Sequence, residues 1–134
     1  MTEHNRMQMG PTRWGNLDRS WRVRLQSAAW HPPTDLCEIE GAYLVEVEVA
    51  GMESDDFVIQ FSRGVLSIRG SRSSRRVARA YHQIEISMGE FAVDVHIPGP
   101  VRVDEIEATY ENGFLRLTLP KNMPKDISIE SHAG

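Results

Sequence analysis

The chain has 134 residues, 40% hydrophobic and 25% charged, with a formal net charge of −4. That is enough polymer for one buried core, too ordinary in composition for wholesale disorder, and without the ~20-residue apolar run of a membrane-spanning helix. Cys37 is the single cysteine, so an intrachain disulfide and a cysteine-based metal cage are excluded.

The first six residues lack the apolar core of a secretory signal, and the expected setting is soluble, reducing and cytoplasmic. Charge is segregated along the chain. Residues 1–33 carry net +3, 34–56 net −8, 57–84 net +6 and 85–134 net −5. In the first block Trp14, Leu17, Trp21 and Leu25 fall near helical spacing among arginines, and Pro32-Pro33 closes the segment. The spacing predicts an amphipathic arm over 1–33, ordered mainly when it docks.

From Thr34 to Leu119 the period is two. Tyr43, Val45, Val47 and Val49 alternate with Leu44, Glu46, Glu48 and Ala50, as in a half-buried strand. Phe57–Phe61 and Val65–Arg69 flank Ser62-Arg63-Gly64, a hairpin-length link. His82, Ile84 and Ile86 alternate with Gln83 and Glu85, and Phe91, Val93, Val95 and Ile97 continue until Pro98. Ile106, Ala108 and Tyr110 lead into Glu111-Asn112-Gly113, a strong hairpin signal, and Leu115, Leu117 and Leu119 precede Pro120. Seven or eight short strands with turn chemistry between them predict an antiparallel β-sandwich over 34–120, followed by a short polar extension, 121–134.

No reaction centre stands out. Gly64 and Gly70 lack the Lys-Ser/Thr of a phosphate cradle, and the five histidines lack zinc-ligand spacing. Cys37 reads as an inert, packed thiol beside Leu36 and Ile39. The six arginines of 57–84 could meet nucleic-acid phosphates, but few aromatics are interleaved and the protein is acidic, so that reading is disfavoured. A solvated loop, or a contact with the acidic block of a partner, accounts for them better. No catalytic residue, metal or cofactor is expected, and the protein reads as a non-enzyme.

Three stretches share one resemblance. Trp30-His-Pro-Pro-Thr-Asp35-Leu-Cys-Glu38 resembles the opening W-x-P-x-x-D-[IL]-x-E of bacterial small heat-shock proteins. Val47-Glu-Val-Ala-Gly51-Met stands where they have V-[DE]-[LV]-P-G-[VMF], with Ala50 for the usual Pro. Ala108-Thr-Tyr-Glu-Asn-Gly113-Phe-Leu-Arg-Leu-Thr-Leu-Pro120-Lys121 is similar to A-x-x-x-N-G-V-L-x-[VL]-x-[LV]-P-K. The resemblance implies an all-β fold: an immunoglobulin-like sandwich, the α-crystallin domain, with a flexible N-terminal arm and short C-terminal extension.

It also implies an ATP-independent holdase that captures unfolding client proteins and passes them to ATP-dependent refolding chaperones. Trp14, Leu17, Trp21, Leu25 and Trp30 would be its client-binding arm. Ile127-Ser128-Ile129 looks like the family's I-x-[IV] tail, which docks on a neighbouring domain. Its groove would lie at Phe57, Ile59 and Phe61 opposite Ile106 and Ala108, positions that are equally core positions of a sandwich. Bacterial relatives dimerise by strand exchange, here Tyr81, His82, Gln83, Ile84, Glu85 and Ile86 onto the partner at Asp35, Leu36, Cys37, Glu38 and Ile39. The dimer would build a larger homo-oligomer without a membrane partner. Two family arginines are absent, replaced by Val93 and Ile86. A scaffold or co-chaperone module of the related CS-domain type is the alternative reading.

Overall fold

The computed structural model describes residues 5–7, 29–73 and 76–123. Among them, eight strands run in chain order: β1 (Asn5–Met7), β2 (Thr34–Ile39), β3 (Ala42–Glu48), β4 (Phe57–Ser62), β5 (Val65–Arg72), β6 (Gly89–His96), β7 (Glu107–Glu111) and β8 (Phe114–Pro120). They form two antiparallel sheets, ordered β1-β7-β8-β3-β2 and β4-β5-β6. The α-crystallin type of β-sandwich expected above is thus the observed architecture.

Turn chemistry sets the register. Asn112 and Gly113 both take positive φ, 53° and 81°, the mirror-image turn whose twist matches paired strands. Arg63 and Gly64 do the same between β4 and β5, at 51° and 78°. The Gly113 carbonyl accepts a 2.8 Å hydrogen bond from the Val49 amide, and a Cβ on Gly113 would stand 3.1 Å from that of Ala50. Gly113→Val should therefore lower stability by about 2 kcal/mol, through the disfavoured φ and the crowded Ala50. A urea titration against wild type measures the loss.

With register fixed, alternation does the rest. Leu36 lies opposite Val45, Val45 opposite Leu117, and Leu117 opposite Ala108, one row across four strands. Val45, Val47, Ala108, Leu115, Leu117 and Leu119 meet Phe57, Ile59, Leu66, Ile68, Phe91 and Val93 from the other sheet, all buried. An aromatic chain crosses this core, with ring centres 5.5 Å apart for Trp30–Phe91, 6.1 Å for Phe57–Phe91 and 5.1 Å for Phe57–Tyr110. Tyr110 also donates its hydroxyl to the Val49 carbonyl at 2.7 Å and accepts from the Met52 amide at 3.2 Å. That pair of bonds pins the link between β3 and β4.

Tyr81–Ile86, expected to pair with a partner's strand, forms no strand with the described residues of its own chain. Three expectations change. Asn5–Met7 pairs with β7 from inside the arm, where no period-two signal existed. Cys37 is exposed, because β2 is an edge strand with its outer side chains uncovered. Arg69, grouped above with loop charges, is wholly buried in β5. Its Nη1 donates to the carbonyls of Ile68 and Val93, both at 3.1 Å, and its Nη2 to Asp94 Oδ1 at 2.9 Å.

Candidate functional site

Two features define the site: the β2 edge and the loop of residues 76–88. Among the described residues β2 pairs only with β3, so there its second edge presents backbone donors and acceptors, the usual template for another chain. Asp35, Leu36, Cys37, Glu38 and Ile39 are all exposed on it. The loop leaves β5 after Arg72 and returns at Gly89, residues that are themselves cross-strand partners. On it Tyr81, Ile84 and Ile86 are 56%, 69% and 68% exposed, an unusual density of bare apolar side chains. The loop arches over Gly51-Met52 and encloses a cleft of about 710 Å³ walled partly by Tyr81, Ile84, Ile86 and Met88. His82, Gln83 and Glu85 are exposed between them.

The charge blocks acquire partners that the sequence did not disclose. Lys121 Nζ lies 2.6 Å from Glu38 Oε2, and Arg116 Nε lies 2.6 Å from Glu46 Oε2, so β8 and its end meet part of the acidic block. The Arg116–Glu46 pair is solvent-facing and contributes little by itself, whereas the Lys121 side chain is largely covered. Arg69 and Arg72 make contacts within the chain, and Arg79 is exposed on the loop.

The remaining expected positions fall in three places. Phe57, Ile59, Ile106 and Ala108 are buried in the core, and Phe61 is half-buried against it. Trp30 is half-buried on the sandwich: its amide donates to Glu90 O at 3.1 Å and its Nε1 to Gly89 O at 3.2 Å. Trp14, Leu17, Trp21, Leu25, Ile127 and Ile129 lie outside the described residues. Among the described residues, no group of three His, Cys, Asp or Glu could hold a metal ion. Nor is any helix there long and apolar enough to cross a membrane. Strand periodicity gave no sign of the Arg72 contacts, since an arginine at a strand end carries no distinguishing pattern.

A two-sheet sandwich with a bare β2 edge and a long apolar-bearing loop between its fifth and sixth strands defines the class: an immunoglobulin-like β-domain of the α-crystallin type. Residues 35–132 match the Hsp20/alpha crystallin family model, and the chain belongs to that family. It is similar to Small heat shock protein C2 of Rickettsia felis, 34% identical over 92 residues, covering 67% of this chain and 60% of that protein. The match thus spans under two thirds of this relative's length. Among solved structures, hspA from Xanthomonas axonopodis has a TM-score of 0.65 and 29% identity, covering 71% of this chain and 97% of that one. A small heat-shock protein from Xylella fastidiosa, described as having a distinct high order structure, has a TM-score of 0.64 and 26% identity. That match covers 78% of this chain and 100% of the Xylella chain.

Proposed function

We propose that the protein is an ATP-independent chaperone of the holdase kind, cytoplasmic and without catalytic activity, working as a homo-oligomer. The observation that carries this is the row Tyr81, Ile84 and Ile86, apolar and exposed on one loop, together with exposed Leu36 and Ile39 on the bare β2 edge. Such a row calls for a partner. The partner with a matching surface is a second copy, whose β2 edge offers backbone pairing for Tyr81–Ile86 along Asp35–Ile39. Cys37 would lose its exposure in that pairing. Exposed Arg79 steers the loop toward the acidic block of the other subunit, a long-range attraction that salt screens.

The dimer is the building block for larger assembly. Residues 1–33 serve as the arm, 34–120 as the domain and 121–134 as the extension. The tail residues Ile127 and Ile129 dock on a neighbouring subunit between β4 and β7, where Phe61 is the accessible member of the expected groove. Phe57, Ile59, Ile106 and Ala108 form the floor of that groove from within the core. Clients are proteins that have begun to unfold and expose apolar area and strand edges. Trp14, Leu17, Trp21 and Leu25 supply adaptable apolar surface for them, with Trp30 at the arm's root, and ATP-dependent chaperones then refold the released clients.

The test is direct. An aggregation-prone enzyme is heated with an equimolar amount of the chain in the absence of nucleotide, and light scattering is followed. Scattering should fall at least severalfold, and undiminished scattering refutes the holdase. In parallel, Ile127→Ala/Ile129→Ala should reduce the native mass to that of the dimer. An unchanged mass would favour the scaffold reading instead.

A further inference from the structure

The loop that bears Tyr81, Ile84 and Ile86 is closed at its neck by one side chain. Arg72 is the last residue of β5 and lies opposite Gly89, the first of β6. Its Nε and Nη2 both donate to the Ser87 carbonyl, at 3.1 and 2.5 Å, and its Nη1 donates to the Ala50 carbonyl at 3.1 Å. The Cζ of the same guanidinium lies over the Trp30 ring, 4.5 Å from its centre. Trp30 in turn bonds Gly89 through Nε1 and joins β6 by a parallel bridge to Phe91. Four separate points of the chain therefore converge on one cation: the start of the loop, its end, the β3–β4 link and the root of the arm.

We propose that Arg72 is a clasp that holds the neck of the exchange loop and couples it to the arm through Trp30. This rests on the reading of the loop as the dimer-forming segment. The chemistry is specific to arginine. A guanidinium presents several donors in one rigid plane and can stack on an indole at the same time, whereas a lysine ammonium is a point charge without a stacking face. Ser87 lies only one residue from Ile86, so its carbonyl sets where the apolar row begins its excursion. Trp30 lies at the last turn of chain before Pro32-Pro33 and β2, so its ring moves with the arm's root. Since both contacts share one group, each favours the other, and by linkage the coupling acts in both directions. A displacement of the arm would loosen the loop, and engagement of the loop by a partner would hold the arm's root in place.

The experiment uses the full chain with Trp14→Phe and Trp21→Phe, leaving Trp30 as the sole indole. Arg72→Ala and Arg72→Lys are compared in that background by amide hydrogen exchange over residues 81–88. Exchange of fluorescently labelled and unlabelled subunits, Trp30 fluorescence and thermal melting are followed beside it. Both variants should speed amide exchange over 81–88 and subunit exchange by about tenfold each, the effect of losing one or two charge-assisted hydrogen bonds. Both should also change the Trp30 emission, with melting of the sandwich nearly unchanged. Unaltered amide exchange in Arg72→Ala overturns the clasp, and so does a wild-type profile in Arg72→Lys, since charge alone would then suffice. A general loss of structure, visible as an early melt of both variants, also overturns it by making Arg72 a stability residue. Faster amide exchange with unaltered subunit exchange supports the clasp and instead refutes the loop as the dimer contact.

Discussion

Asp94→Ala should lower the unfolding free energy by about 3 kcal/mol, whereas Arg69→Met should cost less than about 1 kcal/mol. The contrast follows from what each substitution leaves behind. The Arg69 guanidinium is 0% exposed, and its charge is compensated by an Asp94 carboxylate that remains 31% exposed, 2.9 Å away. Removing the carboxylate strands a cation against two carbonyls, those of Ile68 and Val93, with its Nε already lacking an acceptor. Removing the cation instead replaces it with a flexible apolar side chain of similar length, and Asp94 can turn to water. The double variant Arg69→Met/Asp94→Ala should be no less stable than Arg69→Met plus the ordinary cost of a surface change. Urea denaturation of the four proteins closes the cycle, and additive losses would show that the pair is not coupled. Part of its interest lies in the neighbouring position: Val93, which stands in for a family arginine, supplies the carbonyl that Arg69 uses. The three-stranded sheet thus carries its buried arginine on β5.

The second large effect concerns assembly. Ile84→Asp/Ile86→Asp should weaken dimerisation by a factor of at least about 100, leaving a monomer of 15.2 kDa at micromolar concentration. Two side chains that are each about two thirds exposed in the single chain would otherwise be withdrawn from water in the dimer. The variant would have to bury carboxylates at the same positions. Far-UV circular dichroism should not change, because neither residue belongs to the core. Cys37 provides an internal reporter: exposed on β2 in the single chain, it should react slowly with a thiol reagent in the wild-type dimer and rapidly in the variant. Sedimentation velocity gives the mass, and an unaltered dimer mass would remove Tyr81–Ile86 from the interface.

Much of the fold could be read from period-two alternation, and the reason is geometric. Val45, Val47, Leu115, Leu117 and Leu119 face one way on a pleated strand, and Asn112-Gly113 has few backbone options other than the hairpin turn observed. Alternation reports burial of one face and nothing about who covers the other. Arg69 and Ser67 occupy outward positions on β5, where the pattern implies solvent, yet both are buried. Periodicity likewise finds a strand-like segment at His82–Ile86 without saying whether its pairing edge lies within the chain or in another copy. Of the site, the alternation of His82, Ile84 and Ile86 could be read from the residues, the Asp35–Ile39 edge was implied only by the family resemblance, and the short β1 in the arm could not be read. Arg72 was hidden because its role comes from a meeting of Ser87, Ala50 and Trp30, which are far apart in sequence.

The edges of the two sheets have a consequence best put in a polymer chemist's terms. Among the described residues, β7 is occupied by Asn5–Met7, and β6 carries the Trp30 bridge, so the long strands left bare are β2 and β4. Counted as reactive groups, these give the domain a functionality of two. Units of functionality two join into pairs, rings or linear runs, and strand edges alone cannot branch them into a gel.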